Sequence, residues 1–298
     1  LIAAREHEWQ IYADHDDRKG RVLEQVETQD IFKRRHRRSP YIKADAVLEL
    51  PERELPIDPY LFGLWLGNGN KSNGGISYGA QDIDHYKDAA TTIRRDRSAY
   101  RLNYEGLAHK LRLLGVKDNK HIPTKYLLSS EPQRRELLAG LMDTDGYACE
   151  ERGMCEFCQK KGQLADDVYV LLRSLGYKPT RHEYKATLYG KDCGIKVRIM
   201  FAPDKGEQIF KLPRKQARID GKTRADRNDK KKFFITGVED TDICLVNCIQ
   251  VEGGMYLAGH ELVPTHNSQG SSRILPAYML GLNPNLKIAI CSYAATIA

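Results

Sequence analysis

Apolar and polar residues alternate in short runs through the first 32 positions, LIAAREHEWQIYA and then RVLEQVETQDIF. A period of two predicts strands there. A basic run, KRRHRR at 33–38, leads into YIKADAVLELPERELP, an extended segment punctuated by Pro51 and Pro56. From about 58 to 203 helix-like and strand-like patterns mix. Residues 233–264 return to short β-like runs, FFITGV, CLVNCIQV, MYLAG and ELVP. Beyond Ser268 the texture changes again, to a helix-like SSRILPAYMLGL and a buried-strand-like KIAICSY. The pattern therefore predicts β segments, a mixed α/β insert, β segments again, and then something unrelated.

Within the insert, YLFGLWLGNGN (60–70) and LLAGLMDTDGY (137–147) share one plan. Small residues recur four apart, Gly63 with Gly67 and Gly140 with Thr144, so each pair shares a helix face and permits close helix packing. Gly69 and Gly146 close the two copies, where a left-handed helix end is expected. Packing the two helices together would set Asn68 beside Asp145 at their C-terminal tips. A carboxylate there opposes the helix dipole. A divalent cation between the tips would compensate, held by oxygen from Asp145, Asn68, Gly67 and Thr144. Mg²⁺ is the hard ion suited to such ligands and to phosphodiester hydrolysis.

The charge balance adds a partner. A formal charge of +7 over 298 residues, with a pI near 8.9, favours a polyanion. The stretch 211–232 holds ten Lys or Arg against three Asp, which reads either as a solvated linker or as DNA contact. Seven irregularly spaced Cys give no disulfide framework and fit a reducing cytoplasm. No apolar run approaches membrane-spanning length and no signal peptide opens the chain, so no membrane partner is expected. With no initiator Met and an Ala-rich end, the chain is read as a fragment. Cys155-x-x-Cys158 could begin a zinc site, but no second pair follows at suitable spacing.

LAGLMDTDG resembles the motif that names the LAGLIDADG homing endonucleases, and LFGLWLGNG resembles its usual first partner. NKHIPTKYLLSS (119–130) is similar to the Lys-x-Ile-Pro block ahead of the second motif. That likeness makes Lys120, 25 residues before Asp145, the candidate catalytic lysine. LADDVYVLLRSLGYKP (164–179) resembles the helix that follows. The resemblance covers roughly 56–205 and implies a monomeric endonuclease. It would have two pseudo-symmetric αββαββα halves astride double-stranded DNA, in salt-dependent contact with adjacent major grooves. The first motif departs from the family by carrying Asn68 in place of a metal-binding Asp. One of the two implied sites is thereby in doubt.

Alone, His266-Asn267-Ser268 reads as a turn leaving a strand. The flanks change this. CIQVEGGMYLAG and LVPTHN resemble the last two splicing blocks of an intein, and Ala4-Arg5-Glu6-His7-Glu8-Trp9 resembles the block centred on a His. The resemblance implies that Asn267 cyclises on its own carbonyl. His266 would protonate the leaving amine of Ser268, the Ser268 hydroxyl would receive the upstream chain, and His7 would polarise the upstream amide. Trp9, Cys248 and Thr265 resemble the triplet of class 3 inteins, which makes Cys248 the first nucleophile; a buried strand Cys is the plain alternative. Ala4 stands where a Thr is usual and Met255 where many inteins have a His. The first splicing block is expected to lie upstream of Leu1.

Residues 268–298 resemble the segment after the phosphate-binding loop of phage terminase large subunits, with Ser268 as the loop Ser that ligates Mg²⁺. The expected fold is α+β: an all-β Hint splicing domain interrupted by a two-repeat LAGLIDADG domain. Its expected boundaries are 1–50, 56–205, a basic linker 206–232, 233–267, and a terminase extein fragment 268–298. The expected partners are double-stranded DNA at the intein-less terminase gene site and the host exteins. The expected setting is the cytoplasm of a bacterium carrying a phage or prophage. Two alternatives stand beside this: a splicing intein with a decayed, DNA-binding nuclease, and a fragment of a terminase ATPase.

Overall fold

The computed structural model describes the chain apart from Ala4, Glu6, 15–19, 34–35, Arg37, 97–98, 222–230, Ile243, 245–250, 252–254 and 267–298. Cys248, Asn267, Ser268 and the terminase-like segment therefore lie outside the described residues, as does the side chain of His266. The chain divides into two compact units, one made of residues 1–46 and 231–298, the other of 47–230.

The first unit opens with β1 (Glu8–Asp14), β2 (Arg21–Glu27) and β3 (Tyr41–Lys43). β1 alternates as its sequence requires, turning Trp9, Ile11 and Ala13 into a small core with Ile31, Ile42 and Val263.

The second unit begins on an extended strap and then α1 (Pro59–Asn68). Pro59 sits in its first turn, and the Asp58 carboxylate accepts from the Leu61 N–H at 2.9 Å. Next come β4 (Ile76–Gly79), α2 (Ile83–Tyr86), β5 (Thr92–Asp96), β6 (Ala99–Asn103), α3 (Leu107–Leu113) and α4 (Thr124–Leu127). The second half follows: α5 (Glu131–Asp145), β7 (Gly146–Cys149), β8 (Met154–Lys160), α6 (Gln163–Ser174), β9 (Thr180–Leu188), β10 (Lys191–Phe201) and α7 (Pro213–Gln216). The chain then returns to the first unit through β11 (Lys232–Phe234), β12 (Met255–Ala258) and β13 (Val263–His266). β11 pairs with β3, completing an antiparallel sheet of order β11-β3-β1-β2, while β12 and β13 form a hairpin.

The second half of unit two follows the expected αββαββα order on a sheet of order β7-β8-β10-β9. The first half does not. Among the described residues its sheet is β4-β6-β5, matching β8-β10-β9, and the counterpart of β7 is reduced to a single bridge from Gly69 to Ile76. The polar segment after Gly69 turns back at once, the Asn70 side chain accepting from the Ser72 and Asn73 N–H groups. The short α2 joins β4 to β5 where the longer α6 joins β8 to β9 in the second half.

A second correction concerns residues 206–220, expected in a basic linker. Ile209, Phe210, Leu212 and Ile219 are buried in the core of the second unit, which fixes this stretch there in spite of its charge. Cys155 is buried in the same core, while Cys158 lies on β8 with its sulfur 3.2 Å from the Tyr184 hydroxyl. The two thiols do not face a common point. Among the described residues no helix is long and apolar enough to cross a membrane.

Candidate functional site

α1 and α5 pack together along their small residues. A Cβ added to Gly63 would collide with the Leu137 carbonyl, and one added to Gly140 would collide with that of Tyr60; the two glycine Cα atoms are correspondingly close. Each residue of α1 corresponds to one 77 positions later: Gly63 to Gly140, Gly67 to Thr144, Asn68 to Asp145. Gly67 faces the Thr144 hydroxyl, and a Cβ there would lie 3.4 Å from Asp145 Cγ. The Asp145 carboxyl therefore rests against Gly67 near the tip of α1.

The closing glycines are required for a different reason from the one expected. Gly69 (φ −74°, ψ 143°) and Gly146 (φ −82°, ψ 148°) are extended, and each helix runs directly into a strand register. A Cβ at Gly69 would strike the Trp65 carbonyl and indole, and one at Gly146 the Met142 carbonyl. Close approach to the last helical turn excludes a side chain, not a positive φ.

The carbonyls exposed by these helix ends are covered by two lysines. Lys120 Nζ donates to the carbonyls of Trp65, Leu66 and Gly67 at 2.9, 3.0 and 3.2 Å, and lies 4.9 Å from the Trp65 ring centroid. Lys215 Nζ donates to those of Met142, Asp143 and Thr144 at 2.9, 2.7 and 3.2 Å, and to Gly146 at 2.7 Å. The first three acceptors of Lys215 are the counterparts of the three acceptors of Lys120. Each ammonium thus neutralises the negative end of one helix. Burial lowers both lysines to about 8, against the raising influence of Asp145 on Lys120 and of Asp143 on Lys215. Burial likewise raises the Asp145 carboxyl, opposed by Lys120 first and then by Lys215 and Lys196.

Sequence reasoning does not single out Lys215. It lies two residues after Pro213, whereas Lys120 lies three before Pro123, so the two do not align by motif. The signal that could have found it is the apolar set Ile209, Phe210 and Leu212 beside a Pro, which resembles the Ile-Pro block more than a linker. Asp143 is missed as well. It is buried and accepts from the Tyr60 hydroxyl at 2.6 Å, the Leu212 N–H at 3.1 Å and the Lys211 N–H at 3.3 Å. It thereby ties the loop before α7 to α5. Asp145 accepts from Gln159 at 3.1 Å, and Asn68 is exposed.

The first unit brings together three of its sequence-selected residues. His7 Nε2 lies 2.6 Å from the Thr265 hydroxyl, both groups buried, across 258 residues of sequence. The His7 and Trp9 rings meet edge-on with centroids 4.7 Å apart. Thr28, unremarkable in the sequence, links them: its hydroxyl accepts from the Trp9 indole at 2.9 Å and donates to the His7 carbonyl at 3.1 Å. The backbone of His266 pairs with Met255. His260 is exposed.

Residues 132–202, spanning α5 to β10, match the family described as LAGLIDADG-like domain. That stretch is thus similar to the LAGLIDADG-like domains of homing endonucleases, a family whose members bind DNA. Over a longer stretch, the chain is similar to a protein of Mycobacterium intracellulare named replicative DNA helicase DnaB, 35% identical over 223 residues. The aligned part is 74% of this chain and 37% of that protein, so the chain spans well under half of its relative.

Proposed function

We propose that the second unit is a homing endonuclease cutting both strands of a specific duplex, and that the first is the Hint splicing domain of a class 3 intein. The observation that carries the nuclease reading is the pair of lysines over equivalent carbonyls of two helix tips, with Asp145 beside them. Phosphodiester hydrolysis builds negative charge on the scissile phosphate, and two fixed ammonium groups answer that charge. The Asp145 carboxylate, the Asn68 side-chain oxygen and the Gly67 and Thr144 carbonyls are all hard donors. Each of those carbonyls spends one lone pair on a 3.2 Å lysine contact and keeps the other. This donor set fits Mg²⁺, which when bound would supply Lewis acidity and an activated water.

In the splicing unit, His7 polarises the upstream amide and is oriented by Thr265 and Trp9. The Cys248 thiolate attacks that carbonyl to form a thioester and release the upstream amine. The Ser268 hydroxyl then takes the acyl group as an ester. Asn267 closes to a succinimide while His266 protonates the departing Ser268 amine, and the ester shifts to an amide.

The host is proposed to be a phage-borne terminase large subunit in a bacterial cytoplasm, on the likeness of residues 268–298. The DnaB relative supports a second reading, a helicase host. Sequencing the flanking frame separates these, since the terminase reading requires Gly-Lys immediately before the intein and a terminase continuation after it.

The nuclease test uses supercoiled plasmid bearing the intein-less site, with Mg²⁺. The natural protein is expected to nick it first and linearise it more slowly, and Lys215→Met and Lys120→Met each to lose most of the activity on one strand. An absence of any strand scission would leave the DNA-binding, decayed-nuclease reading, which the neutral Asn68 favours.

A further inference from the structure

Both site lysines stand outside the helices whose tips they cover, so separate contacts must hold them there. Each is tied within its own half. Lys71 Nζ donates to the Asp118 carbonyl at 2.9 Å ahead of Lys120, and Asp143 holds the Lys211 and Leu212 N–H groups ahead of Lys215. Each also has a tie from the opposite half. The Ile122 N–H donates to Asp167 Oδ2 at 2.7 Å, and Asn119 donates to Gln163 at 3.2 Å; both acceptors are on α6 of the second half. Conversely, Arg214 beside Lys215 makes a two-pronged bridge to Asp82, with Nε and Nη2 each 2.6 Å from a carboxylate oxygen. Asp82 stands at the N-terminus of α2 in the first half, and its side chain is 11% exposed.

We propose that Asp167 and Asp82 are positioning residues acting crosswise, a carboxylate of each half's middle helix fixing the lysine of the other half. Charge-assisted bonds of this geometry are the strong kind and set direction as well as distance. Asp82 occupies the N-cap position of the short α2, the first half's counterpart of α6. The two sites are then completed reciprocally, and neither lysine is set by its own half alone. The catalytic consequence rests on the nuclease reading; the positioning itself does not.

The test is competitive amine labelling of the full chain, read at Lys120 and Lys215 by mass spectrometry. Asp82→Asn and Arg214→Gln should each raise labelling of Lys215 about fivefold by raising the fraction of time its loop is released, and leave Lys120 nearly unchanged. Asp167→Asn should do the reverse. Each lysine serves as the folding control for the other. Equal changes at both lysines would mean general loosening, and no change at either would mean no positioning; both overturn the proposal. In parallel, end-labelled duplex carrying the intein-less site should show Asp82→Asn slowing one strand and Asp167→Asn the other. If the natural protein cuts neither strand, the nuclease reading fails while the labelling still decides the crosswise ties.

Discussion

Replacing Gly140 with Ala places one methyl group in the tightest part of the second unit. Its Cβ would lie 2.8 Å from the Leu64 nitrogen and 3.0 Å from Gly63 Cα, besides striking the Tyr60 carbonyl. Ordinary contacts of this kind need about 3.5 Å, so α1 and α5 must separate by roughly 0.5–1 Å. Backbone cannot turn aside as a side chain does, which puts the overpacking cost near the upper end of about 1–3 kcal/mol. Helix propensity returns about 1 kcal/mol for Ala over Gly. The net expectation is a loss of about 2 kcal/mol, or a fall of roughly 4–8 °C in the melting temperature of this unit. Scanning calorimetry on the full chain measures it. Gly237→Ala, at an exposed position outside helix and strand, is the control, because a Cβ there meets nothing within 4 Å. Its expected change is under about 0.5 kcal/mol. A Gly140→Ala protein as stable as the natural one, or stabilised by the propensity gain, would refute the close-packed helix pair.

Three further outcomes are expected. Asn68→Asp should raise linear over nicked plasmid by restoring a second carboxylate, whereas Asp145→Asn should abolish nicking; efficient linearisation by the natural protein would sink that asymmetry. Lys215, lowered by burial to about 8, is neutral in the fold between about 8 and its ordinary value of 10.5, while the unfolded chain still holds the proton. The penalty of its buried charge is present below about pH 8 and relieved as pH rises through that window, at most about 3 kcal/mol; Lys215→Met should flatten the rise in urea midpoint between about pH 7.5 and 10. In the complete precursor, with the upstream splicing block and both exteins in place, Cys248→Ala should stop upstream cleavage and Asn267→Ala should stop release at Ser268, both followed by intact mass. Continued splicing of the Cys248 variant would mean another first nucleophile.

The helix pair is legible because small residues four apart on an apolar face leave few alternatives, and the residues between them are buried as that face requires. The helix ends fall where the sequence puts them but for another reason, since a Gly beside a carbonyl and a Gly with positive φ look alike in sequence. Lys215 is hidden because its role depends on where a loop lands, and composition registers only its charged neighbours. The first strand of the first half shrinks to one bridge at Gly69 because Asn70 bends the chain through its own side-chain bonds, which hydrophobic pattern does not weigh. His7 and Thr265 pair through family likeness alone, as no local pattern joins residues 258 positions apart.

The strand pairing of Phe233 with Ile42 and the bond from the Ala44 N–H to the Lys231 carbonyl bring the two ends of a long excursion, roughly 190 residues, side by side. Closing a flexible loop of that length instead of a tight turn would cost the sheet about 3 kcal/mol of chain entropy. A guest that folds with its own ends together removes most of that cost in advance. To the host sheet such a guest is thermodynamically little more than a hairpin turn. A gene could therefore gain or lose the whole second unit between residues 44 and 231 with little effect on the sheet that surrounds it.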